Sequence, residues 1–344
     1  MKKTIVVSGG GTGGHIYPAL SIADKLEKRG LKTVYIGSSK GLERELVQKE
    51  KRFLLPTIGW VDRKFLGKIA FILRFIPSLI FSIYILWSNR VNAIFHTGGF
   101  ASLPVGIAGI ILRIPIFTLV LDSHPGQAVR LLSRFSKEIF LPFPGDFPSL
   151  PHGKWSVTGI PIREDILSGD PEEAIEYFSL NPQRKTLLVL GGSRGARFLV
   201  KLADSLIEEM GEGWQFIVQT GSFELNRNLK WVYSFPFIKR MDLAYSASDV
   251  IISRAGALTS AEIEQLGISA ILIPYPYAYK DHQFWNAKRL AKTRDNIKVI
   301  REEEVDPAKL PELIKNLSEK KSKVKSEDAT EKIIERMKEY VWKD

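Results

Sequence analysis

Short apolar runs alternate with amphipathic segments along the chain. In the first half, buried strands are predicted at 4–8, 32–38, 92–97 and 114–121, and each is followed by a turn signal. The segment 17–30 has helical periodicity and ends at a glycine. Strands that alternate with helices in this way predict an α/β fold, with a parallel sheet covered by helices on both faces.

The same pattern begins again after residues 159–174, a segment with two prolines, two glycines and several acidic residues that we interpret as a linker or the entry to a second domain. Residues 185–210 predict a strand, a glycine turn and a helix, and further strands are predicted at 214–221, 248–256 and 269–276. We therefore predict two Rossmann-like domains, 1–158 and 159–325, that face each other across a cleft. A terminal helix within 326–344 has one apolar stripe and is expected to dock on the first domain.

The composition excludes few kinds of cofactor and ligand. The 344 residues include no cysteine, which excludes disulfides and thiolate metal sites, and the five histidines lack a metal-binding spacing. We expect neither a metal nor another cofactor. The net charge of +11 favours nucleic acid, phosphorylated ligands or an anionic membrane without choosing among them. The apolar run at 4–8 is too short for a signal peptide, so a cytoplasmic location is expected.

A glycine cluster follows the first predicted strand, in "SGGGTGGH". It fits G-x-G-x-x-G at Gly9, Gly11 and Gly14, and a helix that starts here would attract phosphate through its free N–H groups. The second strand ends in glycine and serine instead of an acidic residue, which disfavours a nicotinamide dinucleotide. His15 would lie at the carboxyl end of the first strand, where such sheets bind ligands, although a histidine there can also simply be packed.

The second domain offers two more constellations. Gly191, Ser193 and Gly195 formally match the G-x-S-x-G elbow of hydrolases, and Asp249 and His282 follow in the order of a catalytic triad. Because this motif opens the domain, a contact from Ser193 to a phosphate or hydroxyl is favoured instead. In "SRAGALTSAEIEQLG", Thr259 and Glu262 have the spacing of a capping box; alternatively, the turn holds phosphate while Glu262 holds a sugar diol.

Residues 69–87 form a long apolar stretch with a single charge, Arg74. Its length is nearly sufficient for a transmembrane span, but crossing a bilayer would separate strands of one sheet. A buried helix would also be apolar. Aromatic residues with a basic rim favour an interfacial helix, and Phe71, Phe75 and Trp87 are the predicted membrane contacts.

Six segments in order, "GGTGGH", "GGFAS", "GIPIR", "GGSRGAR", "RAGALTSAE" and "DHQFWNA", together resemble the MurG family. The resemblance covers roughly residues 5 to 290 and implies the GT-B fold. It implies inverting transfer of N-acetylglucosamine from UDP-N-acetylglucosamine to the C4 hydroxyl of N-acetylmuramic acid in lipid I, which gives lipid II for peptidoglycan. It also implies no metal requirement and peripheral binding to the anionic cytoplasmic face of the plasma membrane.

The resemblance also implies roles for individual residues. Thr12, Gly13 and Gly14 match a donor-contacting loop beside the acceptor diphosphate, and His15 matches the histidine of that motif. Ile238 matches a position whose backbone holds uracil, and Glu262 the ribose carboxylate. The other matched substrate-binding positions are Arg163, Ser193, Ala257, Leu258, Thr259 and Gln283.

One segment departs from the family. Where the family usually has H-E-Q-N, this chain has Leu119, Val120, Leu121 and Asp122. His15 and Asp122 are therefore both candidates for the base that takes the proton of the acceptor hydroxyl, with His15 slightly favoured. A UDP-sugar transferase with a different lipid acceptor and a non-catalytic nucleotide-sugar-binding subunit remain alternatives. A nucleic-acid partner is suggested by charge alone, and none is expected.

Overall fold

The computed structural model describes residues 2–48, 50–57, 65–192, 195–226, 229–320 and 328–342, and of 65–70 only the backbone. Contacts divide the chain into two compact units. The first consists of Met1–Arg163 with Glu327–Asp344, and the second is Glu164–Ser326. The division lies within the segment 159–174 that we interpreted as a linker. Each unit is described by itself below.

The first unit is built on a parallel sheet. Its strands within the described residues are β1 (Thr4–Ser8), β2 (Lys32–Ser38), β3 (Arg52–Leu55), β4 (Val91–His96), β5 (Ile116–Leu119), β6 (Glu138–Leu141) and β7 (Trp155–Val157). They lie in the order β3-β2-β1-β4-β5-β6-β7, and all pairs are parallel. The strand order reverses between β1 and β4, so this is the switch point where such sheets bind ligands.

Helices connect these strands. They are α1 (Gly13–Lys28), α2 (Glu43–Leu46), α3 (Phe65–Ser88), α4 (Ser102–Ile111) and α5 (Gln127–Ser133). One core packs Val6, Ile36 and Ile94 of the sheet against Ile85 of α3 and Val105 of α4. The apolar strand runs identified from the sequence are thus buried on both faces, as in other all-parallel sheets.

The second unit repeats this architecture. Its strands within the described residues are β8 (Lys185–Leu190), β9 (Trp214–Gln219), β10 (Val232–Phe235), β11 (Val250–Ser253), β12 (Ser269–Leu272) and β13 (Ile297–Val299). They form a parallel sheet in the order β10-β9-β8-β11-β12-β13. Its helices are α6 (Pro171–Phe178), α7 (Arg197–Met210), α8 (Met241–Ser246), α9 (Ala257–Leu266), α10 (His282–Thr293) and α11 (Leu310–Ser318). Here the strand order reverses between β8 and β11.

The terminal helix α12 (Ala329–Val341) belongs to the first unit. Its N-cap residue is Asp328, whose carboxylate accepts the N–H groups of Thr330 (2.9 Å) and Glu331 (3.3 Å). The apolar stripe buries Ile333, Ile334, Met337 and Val341, and the helix packs against α1. Arg336 also donates to Oε1 of the buried Glu138 on β6, at 2.7 Å. Burial of the stripe and these polar contacts together fasten the end of the chain to the first sheet.

Candidate active site

Two glycine loops meet at the switch point of the first sheet. Gly11, Gly98 and Gly99 have φ angles of +93°, +94° and +87°, which L side chains rarely adopt. A Cβ atom on Gly99 would lie 2.5 Å from the carbonyl oxygen of Gly10. Several of these glycines are therefore required because the two loops approach each other too closely for a side chain.

Helix α1 starts earlier than its periodicity predicted, at Gly13 instead of residue 17. Thr12 precedes it with an extended backbone, and its carbonyl oxygen accepts the N–H groups of His15 and Ile16, both at 3.1 Å. Gly13 and Gly14 thus lie in the first turn of the helix, where N–H groups have no acceptor within the helix. This places Gly13, Gly14 and His15 together at the ligand-binding edge of the sheet.

The imidazole of His15 is held in one orientation. Its Nδ1 lies 2.8 Å from the carbonyl oxygen of Thr97, and the Thr97 hydroxyl donates to the carbonyl oxygen of His15 at 2.8 Å. Because a carbonyl oxygen can only accept, Nδ1 carries a proton, and in the neutral ring Nε2 holds the lone pair. His15 is only partly buried. The side chain is thus arranged as a proton acceptor at Nε2.

Sequence reasoning missed Glu43, which lies beneath the first glycine loop. Its side chain is fully buried, and its Oε1 accepts the N–H groups of Ser38 (2.7 Å) and Gly11 (3.1 Å). A Cβ atom on Gly10, Gly37 or Gly41 would clash with this side chain. The only signal in the sequence was a carboxylate close to two glycines in "GSSKGLE", which does not by itself indicate burial.

Burial and the Glu43 carboxylate raise the pKa of Tyr35 well above its usual value. The Tyr35 hydroxyl donates to the carbonyl oxygen of Gly9 at 2.6 Å. The first glycine loop is therefore supported from below by two buried side chains, Tyr35 at Gly9 and Glu43 at Gly11.

Two other predicted residues lie in the first unit. The Arg163 guanidinium lies over the ring of Tyr17, 4.5 Å from its centroid, so Arg163 is brought beside the first turns of α1. Asp122 is partly buried in the loop after β5. Because β5 is the next strand to β4, this loop emerges at the same edge of the sheet as Thr97.

In the second unit, the loops after β8 and β11 flank the switch point. Ser193, in the first of these loops, lies outside the described residues. The second leads into α9, which begins at Ala257 and so includes Leu258, Thr259 and Glu262. The capping-box interpretation is wrong: Gly256 is the N-cap residue, and Glu262 lies too deep in the helix to cap it. Its carboxylate accepts instead from the hydroxyl of Tyr245, at 2.8 Å.

Gln283 and Ile238 already have protein partners. The Gln283 side chain accepts the N–H of Tyr275 through Oε1 at 3.0 Å, and the backbone N–H of Ile238 donates to Oε1 of Gln219 at 3.1 Å. Sequence reasoning also missed Arg254, which donates to the carbonyl oxygens of Ile273 (3.3 Å) and Pro274 (3.2 Å). Arg254 thus joins the turn before α9 to the end of β12.

The hydrolase interpretation fails on topology. The Asp249 carboxylate accepts the N–H of Thr186, the second residue of β8, at 2.8 Å. Asp249 therefore lies at the amino end of β8, whereas the glycine loop that contains position 193 follows the carboxyl end. Asp249 is thus separated by the length of β8 from Gly191 and Gly192, where this loop begins, and a catalytic triad cannot form across that distance. Across the described residues, no group of His, Asp or Glu side chains could hold a metal ion.

Helix α3 exposes a broad apolar surface. Within its described side chains, the exposed large ones are Ile72, Leu73, Ile76, Ile80, Phe81, Tyr84 and Trp87. Ser78, Ser82, Ile85 and Leu86 face the protein and are buried. Of the predicted membrane contacts, Trp87 is 71% exposed, whereas Phe71 and Phe75 are partly buried and stack on each other at 5.5 Å.

Among the described residues, α3 alone is long and apolar enough to cross a membrane. Its last turns nevertheless pack into the core of the first sheet. It also connects β3 to β4, two strands that run parallel in that sheet. Helix α3 is therefore an integral helix of the first unit, and its exposed side is apolar.

Comparison with known families identifies the class of protein. The profile of the glycosyltransferase family 28 N-terminal domain matches residues 5–141, and that of the glycosyltransferase family 28 C-terminal domain matches residues 186–341. With two parallel-sheet domains and a glycine loop at each switch point, the chain is a glycosyltransferase of the GT-B fold.

Two relatives define the family more closely. Proteins of Aquifex aeolicus (strain VF5) and Sulfurihydrogenibium sp. (strain YO3AOP1) share 37% and 32% identity with this chain. Both are named UDP-N-acetylglucosamine--N-acetylmuramyl-(pentapeptide) pyrophosphoryl-undecaprenol N-acetylglucosamine transferase. The alignments cover 97% of this chain in both cases, and 99% and 97% of the relatives. The chain belongs to this family of transferases, MurG.

A solved structure agrees with the fold. The crystal structure of MurG from Acinetobacter baumannii matches 98% of this chain and 100% of its own, with a TM-score of 0.74 and 24% identity. The resemblance stated from the motifs and the predicted GT-B fold are both confirmed.

Proposed function

We propose that this chain transfers N-acetylglucosamine from UDP-N-acetylglucosamine to the C4 hydroxyl of N-acetylmuramic acid in lipid I, which produces lipid II for the cell wall. The observation that carries the proposal is the 37% identity to a transferase of that name over 97% of the chain. Both sheets keep a glycine loop at the switch point, where ligands of this fold class bind.

The donor is assigned to the second unit. Amide groups at the start of α9 and in the second glycine loop with Ser193 would receive the diphosphate, because a helix N-terminus favours negative charge. Thr259 lies in this first turn of α9. The buried Glu262 carboxylate would hold the ribose hydroxyls, with its position set by Tyr245. Gln283 is assigned to the sugar, since its amide NH₂ can donate while its oxygen holds Tyr275.

Uracil is assigned to the loop that contains Ile238. The backbone N–H of Ile238 is engaged by Gln219. The base would therefore meet the Ile238 carbonyl oxygen, which can accept the N3–H of uracil.

The acceptor is assigned to the first unit, where His15 is the proposed base. The acceptor hydroxyl attacks the anomeric carbon, the bond from that carbon to the β-phosphate oxygen breaks, and UDP leaves with its electron pair. The hydroxyl proton passes to Nε2 of His15, which the hydrogen bond from Nδ1 to Thr97 has left as the acceptor. One displacement inverts the anomeric centre. Thr12, Gly13 and Gly14 are assigned to the acceptor diphosphate and the donor beside it.

The negative charge that develops on the leaving UDP is stabilised by amide groups and by a cation. The helix start at Ala257 supplies fixed dipoles in the second unit, and Arg163 supplies a positive charge near α1. Asp122 is the second candidate base, placed at the same sheet edge as the Thr97 loop.

We also propose that the chain binds the anionic cytoplasmic face of the plasma membrane as a peripheral protein, through the exposed face of α3. Seven large apolar side chains among the described residues of this helix form a patch of the kind that marks membrane or protein contacts. Tyr84 and Trp87 are residue types that favour the membrane interface, and Arg74 is an exposed cation on the same helix.

A different lipid acceptor is the second candidate. It is favoured by one observation: Leu119–Asp122 stand where the family usually has H-E-Q-N, at the acceptor-side edge of the first sheet. The donor chemistry would be unchanged in that case.

A UDP-release assay separates these functions. Purified full-length protein should release UDP from UDP-N-acetylglucosamine when a lipid I analogue is present, and little without it. Release only with another lipid alcohol would establish the second candidate and refute the first. Binding of UDP-N-acetylglucosamine without release under any acceptor would indicate a non-catalytic binding subunit.

A further inference from the structure

Gln219 links two of the loops assigned to the donor. It is the last residue of β9, which lies between β10 and β8 in the second sheet. Its side chain is buried, with only 5% exposed. The strand order therefore places one buried amide between the loop after β8, which is the second glycine loop, and the loop after β10, which contains Ile238.

The amide uses both of its polar ends, one on each loop. Its Nε2 donates to the carbonyl oxygen of Gly192 at 2.9 Å, and its Oε1 accepts the N–H of Ile238 at 3.1 Å. A glutamine suits this position because it carries a donor and an acceptor on one planar group. Glutamate would keep the acceptor but lose the donor, and leucine would lose both.

The residues that follow Gln219 also contact both of these loops through their backbone. The N–H of Thr220 donates to the carbonyl oxygen of Phe235 at 2.9 Å, and that of Gly221 to Pro236 at 3.1 Å. A Cβ atom on Gly195 would lie 2.5 Å from the carbonyl oxygen of Thr220. The segment after β9 thus packs between the same two loops that the Gln219 side chain connects.

We propose that Gln219 is a positioning residue for the donor, which fixes the distance between the nucleobase loop and the diphosphate loop. This inference rests on the proposed function, since it takes Ile238 and the second glycine loop as donor contacts. A nucleoside diphosphate bridges both loops, so its affinity depends on their spacing. Binding of the acceptor, which is assigned to the first unit, does not depend on this spacing.

Gln215 provides a matched control. It lies on the same strand, its side chain is buried, and its amide also bridges two segments: Oε1 accepts the N–H of Asn181 at 2.9 Å, and Nε2 donates to Thr186 at 2.9 Å. It differs from Gln219 in lying near the amino end of β9, away from the ligand edge. Gln215→Leu should therefore cost stability without affecting the donor.

The experiment compares full-length wild type, Gln219→Leu, Gln219→Glu and Gln215→Leu. UDP binding is measured by titration calorimetry, and the KM of UDP-N-acetylglucosamine and of the lipid I analogue by UDP release. Gln219→Leu should weaken UDP binding and raise the donor KM roughly tenfold or more, as expected when two buried hydrogen bonds are lost. The acceptor KM should stay within about twofold, and Gln219→Glu should fall between wild type and Gln219→Leu.

Amide hydrogen exchange tests the link without any activity. The peptide that contains Ile238 should exchange faster in Gln219→Leu than in wild type, and at the wild-type rate in Gln215→Leu. Equal exchange in wild type and Gln219→Leu would overturn the link, and equal donor KM changes in Gln219→Leu and Gln215→Leu would overturn its specific role. A wild-type chain that neither binds UDP nor transfers sugar would refute the proposed function. The exchange experiment would still test whether Gln219 holds the two loops together.

Discussion

The Nδ1 atom of His15 lies 2.8 Å from the carbonyl oxygen of Thr97, so a residue that follows β1 is oriented by a residue that follows β4. These two strands flank the switch point of the first sheet. The contact fixes both the ring orientation and the tautomer, and directs the basic lone pair to Nε2. This arrangement suits a general base, because the lone pair that accepts the proton is already on Nε2.

His15→Gln should therefore remove the base while leaving donor binding intact. Loss of general base catalysis lowers kcat by about 100-fold or more. The affinity for UDP should change little, because the uracil, ribose and UDP diphosphate contacts are assigned mainly to the second unit. Initial rates of UDP release with a lipid I analogue measure kcat, and calorimetry measures UDP binding. Asp122→Asn, assayed in parallel, decides between the two candidate bases.

Thr97→Val is the matched control for His15. It removes the hydroxyl that donates to the His15 carbonyl oxygen but keeps the Thr97 carbonyl that orients the ring. Its kcat should fall much less than that of His15→Gln. If His15→Gln retains more than about a tenth of wild-type kcat, His15 is not the base.

Glu43 should prove essential to the shape of the first glycine loop. Glu43→Ala leaves the partly buried N–H of Gly11 and the buried N–H of Ser38 without this acceptor, at a cost of up to about 1–3 kcal/mol for each. Glu43→Gln keeps an acceptor oxygen and should be milder. We expect Glu43→Ala to lower both the unfolding temperature and kcat, measured by calorimetry and by UDP release. The exposed Glu45, on the same short helix, is the control, and Glu45→Ala should resemble wild type in both.

Sequence patterns predicted the sheets well, because a strand buried on both faces needs a continuous apolar run. Val6 and Val7 of β1, or Leu187 and Leu188 of β8, are buried for this reason. The short strands β3, β6, β7, β10 and β13 were not predicted, and all of them except β6 lie at a sheet edge. With three or four residues each, they carry too little pattern to separate a strand from a loop.

The polar network of the site could not be predicted from local sequence. Glu43 and Gln219 act through partners that are far away in the chain, and no spacing rule connects Gly11 to Glu43 or Gly192 to Gln219. The capping-box error has the same origin. Thr259 and Glu262 have the right spacing, but the helix starts at Ala257, and Glu262 is drawn to Tyr245.

The exposed face of α3 should control membrane association. Ile76 and Ile80 are 51% and 63% exposed, and the double variant Ile76→Gln, Ile80→Gln makes this face polar without a helix-breaking residue. Removing two side chains that would enter the lipid interface should weaken binding to vesicles with anionic lipid by about tenfold or more. Vesicle co-sedimentation measures this, while circular dichroism checks that the protein stays folded.

A control for the membrane experiment comes from the second unit. Leu167 is similarly exposed, at 52%, and Leu167→Gln should leave vesicle binding unchanged. Phe71 and Phe75 are less suitable probes, because they stack on each other and are partly buried. Unchanged vesicle binding by the folded double variant would remove α3 from the proposed membrane surface.

His96 should make the stability of the first unit depend on pH. Burial lowers the pKa of His96 to about 3, and the nearby His15 contributes to the shift. Between pH 6.5 and this value, the unfolded chain binds a proton that the folded chain does not, so stability falls as pH falls. The slope is about 1.4 kcal/mol per pH unit. Gln in place of His96 can still bond to Thr118, which His96 contacts through Nε2 at 2.8 Å, but it does not titrate.

The pH experiment follows urea unfolding of wild type, His96→Gln and His152→Gln between pH 7 and 4.5. Apart from the substituted histidine the titrating groups are the same, so the difference between wild type and His96→Gln reports His96 together with its interaction with His15. The free energy of unfolding of wild type should decline more steeply with falling pH than that of His96→Gln. His152 is exposed, and His152→Gln should follow the wild-type curve. Parallel curves for wild type and His96→Gln would mean that His96 takes up its proton equally in the folded and unfolded chain, contrary to its burial.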